Sequence, residues 1–346
     1  MTTKCVEEKV QEAYTNWSQT ACGFTDVKYS DTLMCDIKQA LGSIHEEVIK
    51  RFYGCGMVVP EKLEGMHVLD VGCGAGRDTF IVSKLVGQQG HVVGVDMTKE
   101  LIDVANKYIN YHMEKFSIKE PNVEFKVGFI EKLDEIGIKD NTFDILISNG
   151  VINLTSDKTK VLKEAFRVLK EGGELYFSDV YCNKELPEDI RKNDFLWGFC
   201  IAGALYWKTL HEIASEVGFC APRLVEILTV PINNPKYKEL LGDAQFVSTT
   251  YRMFKLPSTS STSEDVQSVI YKGDIKGYEN ELLFDVNNTF KTGEPRTVDP
   301  NLATFLRMSR FKDSFRFLDP LVVSPFDYLK QLEDRGQTVR VSYSVD

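Results

Sequence analysis

Through the middle of the chain, short apolar runs alternate with longer amphipathic stretches. Runs rich in β-branched and aromatic residues fall at 67–72 (HVLDVG), 91–96 (HVVGVD), 123–128 (VEFKVG), 143–149 (FDILISN) and 174–180 (ELYFSDV). Their length and bounding turn residues predict strands. Helical spacing predicts helices between them near 76–86, 98–116 and 157–170. In the last, Val161, Leu162, Ala165, Phe166 and Leu169 share one face, Ser156 or Asp157 can cap the start, and Gly172 with Gly173 predicts the end. Such alternation implies right-handed crossovers and a parallel sheet covered on both faces. A further helix near 207–217 and two runs, 223–230 and 246–256, predict an antiparallel edge. The expected fold is α/β, a doubly wound, mostly parallel seven-stranded sheet.

The flanks differ from this centre. Residues 1–65 carry helical patterns around 6–17 and 37–52, as an N-terminal helical cap over a ligand cleft would, and end in RFYGCGMVVP. The central domain is expected over 66–256. At 257–265, PSTSSTSED has no apolar residue to join a core and reads as a linker. Strand-like runs separated by Gly and Asn turns, with a short helix candidate at DPNLATFLRMSRF, predict a small accessory domain over 266–317, followed by a polar tail, 318–346.

The chemistry concentrates at 67–78, HVLDVGCGAGRD. The apolar run breaks into Gly72, Gly74 and Gly76, so a ligand can lie on bare main chain and meet the first free N–H groups of the next helix. A dinucleotide site wants G-x-G-x-x-G, yet bulky Arg77 stands where its third glycine belongs. Asp70 at the strand end would repel a pyrophosphate but suits a ligand bearing an ammonium and a sulfonium. S-adenosylmethionine is such a ligand, and Asp96, ending the next strand, can accept hydrogen bonds from both its ribose hydroxyls. A dehydrogenase is disfavoured by Arg77 and Asp70.

Composition adds bounds. The 346 residues suffice for a large domain plus a smaller one. A net charge of −10 argues against general affinity for nucleic acid or anionic membrane and is compatible with a cationic cofactor. No apolar run spans a bilayer and MTTKCVEEKVQEAY has no signal core, so a cytoplasmic protein is expected. The eight cysteines show no C-x-x-C pairs, hence neither a zinc spacing nor a secreted disulfide framework, and no metal is expected. The five histidines are singletons that read as structural, with His45, just ahead of the Tyr53 turn, the one of most interest.

With these motifs assembled, the chain resembles the arsenite methyltransferase family, S-adenosylmethionine enzymes of the class I methyltransferase fold. The matching stretches include FYGCGMVVPEKLEG at 52, VLDVGCGAGRD at 68, VGVDMTKE at 93, GFIEKL at 128, SNGVINL at 148, GGELYFSDVY at 172, GALYWK at 203 and YKGDIKGYENELLFDVNNTFKTGE at 271. The resemblance implies cofactor contacts from Tyr53, Asp70, Gly72, Gly74, Asp96, Met97, Ile130, Glu131 and Asn149, beside Gly76 of the turn itself.

In that family four cysteines carry the acceptor chemistry. Cys55 matches the YGCG cysteine, Cys200 the one before GALYW, and Cys22 the N-terminal one. The cysteine of the SN-Cys-V-x-NL motif is Gly150 here, and the family's Gly-Glu-Cys reads Gly198, Phe199, Cys200. Losing a thiol and an acid while gaining an aromatic face favours a small organic acceptor beside Gly150; an amine acceptor would be enclosed by Phe199, Tyr53, Trp197 and Tyr206. The alternatives are arsenite or a related thiophile held by the remaining cysteines, with Cys55 and Cys200 catalytic, and a non-catalytic module that only binds the cofactor.

Overall fold

The computed structural model describes residues 35–198, 200–257, 266–318 and 324–336. All seven expected strands form one sheet in the order β3-β2-β1-β4-β5-β8-β7, where β1 is His67–Val71, β2 His91–Asp96, β3 Val123–Val127, β4 Phe143–Asn149, β5 Leu169–Cys182, β7 Arg223–Thr229 and β8 Phe246–Lys255. The first five pair in parallel, while β8 runs antiparallel between β5 and β7. Apolar side chains from both faces feed two cores: Val68, Phe80 and Ile147 in one, Leu69, Leu146 and Phe177 in the other. Burial on both faces is why these strands read as continuous apolar runs.

Several local features depart from the periodicity. The helix expected over 157–170 ends at Val168, and β5 begins at once with Leu169, buried and paired with Phe143. The register then skips from Phe143/Leu169 to Ile145/Glu174, so Gly172, at φ 76°, serves a bulge rather than a helix stop. The stretch 98–116 divides into Lys99–Lys107 and Ile109–Phe116. The break at Tyr108 lets its ring stack on His45 at 3.8 Å. Similarly, 37–52 holds two short helices, Cys35–Leu41 and Glu46–Ile49, interrupted at Gly42 and Ser43. A two-residue strand, β6 (Leu205–Tyr206), pairs with β5 and has no signal in the sequence. The helical pattern at 6–17 and linker residues 258–265 lie outside the described residues.

Beyond the linker, β9 (Gln267–Tyr271) pairs with β12 (Pro295–Val298) and β13 (Phe315–Phe317), while β10 (Glu281–Asp285) and β11 (Asn288–Lys291) form a hairpin. Helix Pro300–Met308 starts as the sequence suggests: Asp299 caps it through the Leu302 N–H, with proline in the first turn. The core of this module is aromatic and continues into the main sheet, where Phe254 of β8 stacks on Phe305 at 3.7 Å. The polar tail contains a helix, Pro325–Asp334. Among the described residues no helix is long and apolar enough to cross a membrane.

A buried ionic cluster joins the parts. Arg252 of β8 reaches Glu61 at 2.7 Å and Glu174 of β5 at 2.8 Å, donates to the Phe284 carbonyl at 2.9 Å, and lies 3.9 Å from the Phe284 ring centroid. Arg310 completes it, 2.6 Å from Glu174 and donating to the Glu61 carbonyl at 2.8 Å. Two cations meet two carboxylates with no solvent to replace a missing partner. Arg252→Met is therefore expected to lower the unfolding free energy by about 3–5 kcal/mol. Lys50→Ala, which breaks only the exposed pair with Glu46, should cost less than about 1 kcal/mol. Denaturant titration of the two variants checks the contrast.

Candidate active site

The carboxyl ends of β1, β2 and β4 open onto one cavity system, as ligand sites in open α/β sheets do. Tyr53, Gly72, Gly74, Asp96, Met97, Ile130, Glu131, Asn149 and Gly150 line its larger part, and Asp70 lines an adjoining pocket that shares Tyr53, Gly72, Gly74 and Asn149. Thus all the expected cofactor residues but one come together. The exception is Gly76, which begins helix Arg77–Val86 in a left-handed conformation, φ 90°, where an added Cβ would strike Phe125 at 2.8 Å. It permits packing and does not line the cavity. Further walls come from Arg51, Leu101 and Thr155, which lie outside the stretches that carry the resemblance, and from Phe129, Val151 and Leu154, which lie in the stretches at 128 and 148 but are not among the expected contacts.

The residues present fit a cationic adenosyl ligand. At Gly74, φ 55°, an added Cβ meets nothing nearer than Leu101 at 4.0 Å, so the bare main chain faces open space. Leu101, Phe129 and Ile130 give apolar walls suited to a base. The acids supply the charge. Burial, aided by repulsion from Asp78, pushes the Asp70 carboxyl up to about 8, against the Thr79 hydroxyl bond at 2.6 Å that favours the ionised form. Burial also raises Asp96, whose oxygens accept the Gly74 and Thr98 N–H groups at 2.9 and 2.8 Å. A cation offsets the cost of both buried charges.

Asn149 has a second task. Its Oδ1 accepts the Cys55 and Gly56 N–H groups at 2.7 and 3.2 Å, and its Nδ2 donates to the Gly56 carbonyl at 2.9 Å and to Asp78 at 2.8 Å. The carboxamide is fully used in holding the YGCG turn. Arg77 secures Asp78 in turn, with Nε donating at 2.7 Å. The bulky residue that displaces a dinucleotide glycine thus belongs to the scaffold that fixes Cys55.

Cys55 and Cys200 do not line the cavity themselves but meet next to Tyr53 and Gly150, which do. The ligand atoms of Cys55, Asp179 and Cys200 all lie within 4.8 Å of one another, and all three residues are buried. The Cys200 thiol donates to the Gly150 carbonyl at 3.3 Å and accepts from the Tyr53 hydroxyl at 3.8 Å, linking the pair to two lining residues. Cys200 itself adopts φ 60°, a strained conformation for a non-glycine residue. The hydrogen bond with Cys200 and burial raise the Cys55 thiol well above its usual range. Burial likewise pushes Asp179 to about 7, although the Asn153 and Val180 N–H groups donate to it at 2.9 and 3.0 Å. Lys158, with Nζ donating to the Asn153 and Thr155 carbonyls, is lowered to about 8 by burial, with Asp179 and Cys200 pulling the other way.

Other expected acceptor residues are distributed unevenly. Trp197 packs in the same cluster as the cysteines and donates to the Leu154 carbonyl at 3.2 Å. Tyr206 lines neither part of the cavity system; β6 directs it toward Trp207, so it does not enclose an acceptor there. Cys22 and Phe199 lie outside the described residues. His45 caps helix Glu46–Ile49 by accepting the Glu47 N–H at 3.1 Å, a structural role.

Fold and site define a class I S-adenosylmethionine-dependent methyltransferase. A family model described as methyltransferase domain matches residues 62–218, and one described as arsenite methyltransferase C-terminal domain matches 264–324. The arsenite methyltransferases of Rattus norvegicus and Homo sapiens are each 53% identical to this chain, over 81% of it and 76% and 74% of their own lengths. That of Aquipseudomonas alcaligenes is 44% identical, over 82% and 81%. An arsenic(III) S-adenosylmethionine methyltransferase structure from Chlamydomonas reinhardtii superposes with a TM-score of 0.79 at 40% identity, covering 83% of this chain and 97% of that one. The chain belongs to the arsenite methyltransferase family, and its cofactor is S-adenosylmethionine.

The raised Asp70 carboxyl makes cofactor binding pH-dependent. Below pH about 8 it carries a proton in the free protein, whereas a bound ammonium group favours the ionised form. Binding at neutral pH should therefore release a proton and tighten as pH rises toward 8. Calorimetry in buffers of different ionisation enthalpy reads the release directly, and Asp70→Asn should abolish it.

Proposed function

We propose that this enzyme methylates trivalent arsenic held by Cys55 and Cys200. The observation that carries the proposal is the meeting of two buried thiols, from segments far apart in the chain, directly next to Tyr53 and Gly150 of the cofactor cavity lining. Soft thiolates select a soft thiophile. The names of the relatives support the same acceptor. A small organic acceptor, the reading the sequence favours, draws less support: Tyr206 does not line the cavity, and the paired thiols give such a molecule nothing to bind through.

Gly150 still distinguishes this chain. An added Cβ there would stand 2.9 Å from the Cys55 sulfur, so the position where the resemblance expects a cysteine does adjoin the pair. Two thiols remain sufficient for capture. Exchange of two arsenic hydroxyls for the Cys55 and Cys200 thiols forms two As–S bonds and releases two waters, leaving the arsenic lone pair free to attack. The sulfonium of the bound cofactor supplies the methyl group. The protein's part is alignment: Asn149 fixes the Cys55 backbone, and Tyr53 and Gly150 hold Cys200.

Incubation with arsenite, S-adenosylmethionine and a reducing thiol, followed by chromatography with arsenic detection, tests the proposal. Methylated arsenicals are expected, and Cys200→Ser should cut their rate by at least about 100-fold, the upper range for losing a mere outer-shell partner of a metal site. Absence of arsenical product from folded, cofactor-binding protein, with turnover of an amine or phenol instead, would overturn it.

A further inference from the structure

Without a third thiol at position 150, the described residues of the cluster offer two sulfurs and one oxygen. Cys55, Cys200 and Asp179 come from three segments, are all buried, and present ligand atoms within 4.8 Å of one another. Asp179 is held rigidly by backbone N–H groups of Asn153, Val180 and Ile152, and its two oxygens, with about four lone-pair sites, still have one for a ligand. We propose that this cluster is also a binding site for a soft divalent cation of the zinc and cadmium class, which occupies it in competition with the arsenical.

The donor set points that way. A carboxylate oxygen is a poor permanent ligand for trivalent arsenic in water but an ordinary one for zinc, which accepts thiolate and carboxylate together. Three thiols would favour a three-coordinate thiophile; two thiols and an acid weaken that preference. Binding forms two metal–sulfur bonds and one metal–oxygen bond, and the two thiol protons leave to solvent. The charge then closes. Two thiolates and a carboxylate against a divalent cation leave one negative charge, and the Lys158 ammonium interacts electrostatically with both Asp179 and Cys200. Lys158 is the first residue of its helix, where the helix dipole disfavours a cation, so the cluster gives its charge a partner the helix does not.

The cation site rests only on the geometry, and the competition rests on the arsenite reading, so two measurements separate them. Reduced, metal-free protein is titrated with cadmium, following the ultraviolet sulfur-to-metal charge-transfer band and the heat. One ion per chain is expected, with both Cys55 and Cys200 protected from alkylation and a cadmium NMR shift in the range of two sulfur donors with oxygen. Asp179→Asn should weaken binding at least tenfold, and the NMR shift of the unmutated protein reports the oxygen donor should that variant misfold. A band that persists in the Cys55→Ser/Cys200→Ser double variant, or a shift typical of sulfur-only ligation, would overturn the site. Cadmium loading should also slow arsenical formation in proportion to occupancy. Cadmium binding without arsenite turnover in metal-free enzyme would refute the proposed function and leave the cation site standing, whereas arsenite turnover unaffected by bound cadmium would overturn the competition.

Discussion

One carboxamide connects cofactor chemistry to acceptor chemistry. Asn149 ends β4 beside the glycine turn, and all four of its hydrogen bonds go to the YGCG turn and Asp78. No other placement would let a strand end, a helix start and a cysteine loop share one rigid point. An aspartate there would lose both donors and set a carboxylate against Asp78 and a carbonyl, so charge and shape both demand the amide. Methyl transfer needs sub-ångström alignment more than acid–base assistance, and this clamp supplies the alignment.

The clamp works because the frame around it is stiff. Arg252, Glu61, Glu174 and Arg310 tie the segment that carries Cys55 to β5 and β8, and tie both to the C-terminal module. Asp179 sits five residues beyond Glu174 on β5, so one strand carries both an anchor of the ionic cluster and a member of the thiol cluster. The C-terminal module is thus bonded to the strand that carries Asp179, without lining the cofactor cavity itself. Its stacked aromatic core, centred on Phe254 and Phe305, makes that connection apolar as well as ionic.

How far this was legible in the sequence depended on range. The strands and the glycine turn carry local signals, period and punctuation, and every one of the seven main strands stands where its apolar run lies. The cofactor residues at strand ends follow from topology, since parallel strands bring Asp70, Asp96 and Asn149 to one edge. Gly76 misled because a positive-φ glycine serves packing and ligand approach alike; only Phe125, remote in sequence, decides between them. Asp179 and Lys158 passed unread. Yet each breaks a local rule, an acid inside an apolar run and a lysine at a helix start, and such conflicts mark functional sites. The thiol pair was beyond reach as geometry, because nothing near Cys55 or Cys200 encodes their meeting. Resemblance to a family supplied it, and the same departures from the family pattern, Gly150 above all, drew the acceptor reading toward organic molecules, whereas the relatives' names support arsenite.

That thiols should stand beside a methyl sulfonium raises a problem of self-methylation, and the electrostatics answer it. Only a thiolate is an effective nucleophile. The hydrogen bond with Cys200 and burial raise the Cys55 thiol, and Cys200 donates its hydrogen to the Gly150 carbonyl. The buried acids act differently: Asp70 and Asp96 favour the cofactor's positive charge, and Asp179 disfavours negative charge on Cys55. A soft electrophile changes the balance by replacing each proton with a covalent bond, so the sulfurs become ligands without ever standing as free anions next to the donor. The arsenic lone pair, on the proposed function, is then the nucleophile. On the proposed function, the feature that makes these thiols sluggish alone is the one that makes them selective.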